Sequence, residues 1–256
     1  MKKFLYSLRT DLQFSTAIRQ HTFLLRATPR VYPFQEPLNT ALVCQPSSRL
    51  SSVVDGLGNL VHQGYIDEPH DRFVFCSTGE VIIDSNKKDL EKPHPYYRLE
   101  TSLTKLEGDL KNFYDDNYIQ GSIDEKVMHW MTQLSRNFCY RTGITGTQTT
   151  SAEAFAMGGG VCQDYAQILL TLLRSDNIPC RYVVGLLAGE GASHAWVEVF
   201  NDHFWLAVDP THTRICNDEY LKISHGLDFS TCSVERGMFI GEASQVMSTK
   251  ALMKEV

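Results

Sequence analysis

The chain has 256 residues, 43% of them hydrophobic and 21% charged, an ordinary globular composition. A formal net charge of −6 and a pI near 5.8 give no electrostatic case for a nucleic-acid partner. No apolar run approaches the roughly 18–20 residues of a membrane span. The basic start Met1–Leu8 is broken by Arg9 and Asp11 before an apolar signal region can form, so a cytoplasmic protein with no membrane partner is expected.

Seven cysteines stand at 44, 76, 139, 162, 180, 216 and 232. The count is odd and no pair is spaced C-x-x-C, which argues against a disulfide framework and a zinc ribbon. No metal and no cofactor are expected.

Residues 1–95 read as a β-rich N-terminal domain, a small β-sandwich-like unit. Strand-like stretches are Thr22–Ala27, Thr40–Cys44, Leu60–Ile66 and Arg72–Ile83, divided by turn signals such as Asp55-Gly56-Leu57-Gly58-Asn59. Asp89–Tyr96, with charges and two prolines, reads as a linker. Residues 96–256 form the expected catalytic domain. A short helical pattern covers Ser102–Phe113. A stronger one covers Ser122–Asn137, with Ser122 as cap, Glu125 three residues on, and a stripe of Val127, Trp130, Met131 and Leu134. Thr150-Ser151-Ala152-Glu153 is a second capping box, opening a short helix that ends at Gly158.

The chain then crosses Gly158-Gly159-Gly160 and enters another helix near Cys162, with Ala166, Leu169, Leu170 and Leu173 at helical spacing. A cysteine at a helix start meets unpaired N–H groups that favour a thiolate. Gly160 lets the backbone approach a substrate, and the Cys162 N–H is a potential oxyanion donor. Asp164, in the same turn, opposes a thiolate unless it is turned away or paired. Cys180–Leu187 reads as a strand.

Ala195–Phe200 and His203–Val208 read as a hairpin turning at Asn201-Asp202. That register places His194 directly opposite Asp209, with Cβ atoms roughly 5 Å apart. Ala195, Val197, Val199, Phe204, Leu206 and Val208 then share a core face, and His194, Trp196, Glu198, Trp205 and Asp209 share the other. A carboxylate opposite a histidine fixes its tautomer and frees the second ring nitrogen to take a thiol proton. Cys162, His194 and Asp209 are therefore the expected catalytic residues. Tyr140 and Gln163 are oxyanion candidates, and Trp196 and Gly160 are groove candidates. His212 reads more simply as a loop residue.

These residues resemble the transglutaminase-like superfamily, in particular its bacterial branch described as cysteine proteases. The resemblance rests on Gly160-Val161-Cys162-Gln163-Asp164-Tyr165-Ala166, Ile178-Pro179-Cys180-Arg181-Tyr182-Val183, Ser193-His194-Ala195-Trp196-Val197-Glu198-Val199 and Val208-Asp209-Pro210-Thr211. It implies an α+β fold: a papain-like core with a helix-start cysteine packed on an antiparallel sheet, and a covalent acyl-enzyme made by Cys162. No calcium loop is recognisable, so calcium activation is not implied. The reading is a cysteine-dependent amide or peptide hydrolase acting on a peptide or protein substrate. A transglutaminase using an amine acceptor, or a non-catalytic peptide-binding module, stays open as an alternative.

Overall fold

The computed structural model describes residues 1–256, a mixed α+β protein whose sheets are almost entirely antiparallel. The first strand, β1 (Lys2–Leu25), runs 24 residues and organises the N-terminal half. It is followed by β2 (Gln35–Gln45), β3 (Ser51–Val54), β4 (Leu60–Ile66) and β5 (His70–Ile83). Phe4, Tyr6, Leu8, Leu12 and Phe14 alternate inward along β1, the period expected of a strand with one buried face. A register break between Gln13 and Ile18 divides β1: its first part pairs mainly with β5 and its second with β4.

The linker carries a short 3-10 helix at Pro95–Arg98. Then come α1 (Gly108–Asn117), α2 (Ile123–Asn137), β6 (Cys139–Tyr140), α3 (Ser151–Ala156), β7 (Gly159–Gly160) and α4 (Cys162–Ser175). Both predicted capping boxes form. Ser122 and Glu125 satisfy each other's backbone N–H at the start of α2, and Thr150 and Glu153 do so at α3.

Next are β8 (Cys180–Leu187), β9 (Gly189–Gly191), β10 (His194–Phe200), β11 (Trp205–Asp209), β12 (Arg214–Ile215) and β13 (Tyr220–Gly226). Five of these make one sheet in the order β12-β11-β10-β8-β13. One face buries Val184, Ala195, Val197, Val199 and Val208 against α4 and the other helices. The opposite face carries Trp196, Glu198 and Trp205 and is crossed by the linker, where Trp205 donates its backbone N–H to Asp89 and its indole N–H to Glu91. The chain closes with α5 (Phe229–Cys232), β14 (Glu235–Ile240) and β15 (Gln245–Glu255). These last two strands return to the first sheet and pair with β1. All seven cysteines are free, and no helix is long and apolar enough to cross a membrane.

Candidate active site

Cys162 is the first residue of α4, and Val161 before it is extended. The loop that delivers it is fixed by glycine geometry. Gly158 sits at φ +68°, a left-handed conformation that ends the α3 segment at low steric cost. β6 and β7 then pair in parallel, Cys139 with Gly159 and Tyr140 with Gly160. This short ladder holds Tyr140 close enough for the Cys162 thiolate charge to act on its phenol, after burial the second influence raising that group above its usual range. Tyr140 is 57% exposed.

Asp164 is paired rather than free. Its Oδ2 accepts from the Val161 N–H at 2.7 Å and from Thr145 Oγ1 at 2.7 Å. The carboxylate folds back over Gly160, where a Cβ would lie 2.7 Å from the Asp164 Cγ. Glycine at 160 is thus required by the packing of Asp164, and the residue is buried. Gln163 donates its side-chain amide to the Gly146 carbonyl at 3.2 Å, tying the preceding loop to the helix start.

His194 opens β10 opposite Gly185 of β8. Its Nε2 lies 2.7 Å from Asp209 Oδ2, which leaves Nδ1 free of the carboxylate, and the Cys162 thiol is close enough to act on the ring. Burial opposes the imidazolium, but Asp209 and Cys162 outweigh it and raise His194 from 6.5 to about 9. Burial likewise works against the Asp209 carboxylate, yet hydrogen bonds from His194, His212 and Tyr220 hold it well below the usual carboxylate range. The carboxylate is fully buried. Oδ2 accepts from His194, His212 Nδ1 and Tyr220 Oη, each at 2.7 Å, and Oδ1 accepts from the backbone N–H groups of Thr211 and His212.

The hairpin register differs from the expected one. Phe200 pairs with Trp205 and Val197 with Val208, so the turn is Asp202-His203 rather than Asn201-Asp202. Asp202 takes the left-handed conformation at φ +72°, and the Asn201 side chain accepts from the Phe204 N–H. The shift is by two residues, which preserves the faces. His194 therefore meets Asp209 on the diagonal, not directly across. Trp196 is 2% exposed and packs edge-on against Tyr220 at 5.4 Å, which supports the site from beneath.

Sequence patterns did not point to Tyr220 or Arg214, and they undervalued His212. Tyr220 comes from β13, and Arg214 Nε donates to its hydroxyl at 2.7 Å. No local motif marks either residue. His194, Asp209 and His212 offer ligand atoms within 4.8 Å of one another, a donor set compatible with a divalent ion. The same atoms already satisfy one another by hydrogen bonds.

Residues 114–210, which contain Cys162, His194 and Asp209, match the transglutaminase-like superfamily core. Residues 6–82 match the bacterial transglutaminase-like N-terminal region. The chain thus carries a transglutaminase-like core behind a bacterial transglutaminase-like N-terminal region. Among relatives of this transglutaminase-like protein, an uncharacterised Mycobacterium leprae protein is 32% identical over 115 residues, so the match spans 41% of each chain. An uncharacterised Mycobacterium bovis protein is 22% identical over 267 residues, covering 90% of this chain and 85% of the relative. The crystal structure of a candidate cysteine protease from Cytophaga hutchinsonii shares the fold, with a TM-score of 0.80 at 19% identity over 99% of this chain and 91% of its own.

Proposed function

We propose that the protein is a cysteine-dependent amide or peptide hydrolase working through Cys162, His194 and Asp209. The observation that carries this reading is the 2.7 Å contact from His194 Nε2 to the buried Asp209, with the Cys162 thiol close enough to act on the same ring. His194 Nδ1 takes the thiol proton, and the Cys162 sulfur attacks the amide carbonyl. The tetrahedral oxyanion meets the Cys162 backbone N–H and the Tyr140 hydroxyl. Collapse breaks the C–N bond, the imidazolium hands its proton to the leaving amine, and a thioester remains. Water then attacks this thioester while His194 takes one of its protons; the carboxylate product leaves and the thiol is restored. Asp209 holds the ring with Nδ1 toward the sulfur throughout.

Water is the acceptor in this reading because solvent reaches the site: Cys162 is partly exposed, and the His212 side chain is 46% exposed. The free thiols suit a reducing, cytoplasmic setting. The test has two arms. Iodoacetamide below neutral pH is expected to alkylate Cys162 ahead of the other six cysteines, and His194→Ala is expected to remove that preference. Incubation with a mixed peptide library is expected to create new termini with wild type and none with Cys162→Ala. Uniformly slow labelling sinks the nucleophile, and incorporation of an added primary amine without new termini replaces hydrolysis by acyl transfer.

A further inference from the structure

A cleft of about 300 Å³ opens between the first sheet and the β8–β13 sheet beside the site. Its near wall holds Ser193, which precedes His194, and Thr147 and Gln148, which follow the Gly146 carbonyl bound by Gln163. The cleft therefore adjoins, along the chain, the residue before His194 and the loop held by Gln163. Its far wall is made by β1, β14 and β15, with Thr10, Glu235 and Thr249 lining it. A cleft of this size is on the order of the smallest that hold a ligand, roughly 300–1,000 Å³.

Glu235 lies opposite Leu25 in the β1–β14 register and so points to the same inward side as that fully buried leucine. No hydrogen bond supports its carboxylate, and the one charge acting on it is Arg236, the next residue, which is exposed and opposite Leu24. His21 of β1 stands nearby. A Cβ at Gly237 would come 2.7 Å from His21 Nε2 and 3.0 Å from Glu235 Oε1, so the ring and the carboxylate flank the bare glycine. His70 of β5 is hydrogen-bonded behind His21. Burial holds His21 down at about 4, leaving it neutral and unable to serve as a counter-ion near neutral pH. Such a poorly compensated carboxylate is stabilised by any cation that can reach it.

We propose that this cleft is a subsite for a lysine or arginine side chain of the peptide substrate, selected by Glu235. The assignment rests on the reading that Cys162 attacks a peptide amide, and it adds a specificity which that reading lacks. Polar neutral walls at Thr10, Gln148 and Thr249 accept a peptide backbone, while Glu235 supplies the one carboxylate of the lining; Arg236, the one cation of the lining, is exposed and turns to the side of Leu24. Burial raises Glu235 to about 7. Cation binding requires the ionised form, so the preference for a basic residue grows as pH rises through that value.

Binding to Cys162→Ala protein separates this proposal from catalysis, because no chemistry is needed and the iodoacetamide result stands apart from it. Fluorescein-labelled hexapeptide pools carrying lysine at each position in turn are compared by anisotropy with matched norleucine pools. A charge-assisted contact predicts about tenfold tighter binding of one lysine pool above neutral pH. The advantage shrinks below pH 7, and Glu235→Gln in the Cys162→Ala background abolishes it. The pH series on the unmodified cleft gives the answer should Glu235→Gln fold poorly. Cadaverine, the free-amine counterpart, is expected to compete weakly. Equal affinities, no binding of either pool, a preference that survives in Glu235→Gln, or cadaverine competing as well as the lysine peptide would overturn the assignment.

Discussion

Tyr220 Oη sits 2.7 Å from Asp209 Oδ2, on the same carboxylate oxygen that holds His194. Arg214 in turn donates to the tyrosine hydroxyl, so a guanidinium, a phenol and a carboxylate stand in line behind the imidazole. Three donors on one buried oxygen leave the carboxylate little freedom to rotate. Tyr220 thus acts on His194 through Asp209, as a positioning residue.

Removing that hydroxyl tests the arrangement. Tyr220→Phe deletes a hydrogen bond to a buried charge, an interaction of about 1.5–3 kcal/mol. Thiol alkylation at Cys162 is expected to slow about tenfold with a shifted pH profile, whereas Phe200→Leu, a packing change on the same sheet, leaves the profile in place. An unchanged profile in Tyr220→Phe would remove Tyr220 from the machinery.

The ionisation of His194 follows from its two partners. Asp209 is the stronger of the two influences raising it and Cys162 the weaker. NMR titration of the ring is therefore expected to give a value near 9 in wild type, a lower one in Cys162→Ala, and the lowest in Asp209→Asn. The reverse order of the two variants would contradict the geometry.

The same shift dictates how stability depends on pH. A histidine raised from 6.5 to about 9 contributes fully below 6.5, and its contribution is lost as pH rises through about 9. The shift corresponds to about 3 kcal/mol. Asp209, held below its usual range, contributes above 3.8 and loses that contribution as pH falls through its folded value. Urea midpoints are expected to fall on both sides of a plateau between these limits. His194→Ala should flatten the alkaline side, and an alkaline decline unchanged in that variant would assign it to other groups.

Much of the site was legible in the sequence because its parts are local. The alternation along β10 and β11 placed His194 and Asp209 on one face, and that survived a two-residue error in register because parity is all that a face requires. The boxes at Ser122 and Thr150 are likewise written within four residues. What escaped was set by distant pairing. Tyr220 reaches Asp209 from another strand, and Glu235 faces the cleft only because β14 and β15 return to β1. The inward period of Phe4, Tyr6, Leu8 and Leu12 is present in the sequence, yet it runs through a strand of 24 residues, far beyond the roughly 5–6 that most strands reach.

Gly160 offers a sharper test of the helix start. A Cβ there collides with the Asp164 carboxylate and must break its bonds to Val161 N–H and Thr145. Gly160→Ala is expected to destabilise the protein by about 1–3 kcal/mol and to slow Cys162 alkylation. Asp164→Ala combined with Gly160→Ala relieves the clash and is expected to recover part of the lost alkylation rate. If the double variant labels as slowly as the single one, Asp164 is not what excludes a side chain at 160.

Beneath the site, Arg181 is 1% exposed and lies between two carboxylates, 2.5 Å from Glu198 and 2.8 Å from Asp89, with its guanidinium 4.0 Å from the centre of the Trp205 ring. Lys222 shares Glu198 at 2.6 Å, and burial, followed by the nearby Arg181 charge, lowers it to about 8. Glu198 belongs to the strand that His194 opens, and Asp89 belongs to the linker, so this cluster fastens the linker to the catalytic sheet. Removing the guanidinium leaves Asp89 buried without its ion-pair partner. Arg181→Met is therefore expected to cost about 3–5 kcal/mol in urea unfolding. Arg181→Met combined with Asp89→Leu, which removes the stranded carboxylate while Glu198 keeps Lys222, is expected to regain part of that loss. A single-variant cost below about 1 kcal/mol would show that the cluster is solvated in solution and does not clamp the linker.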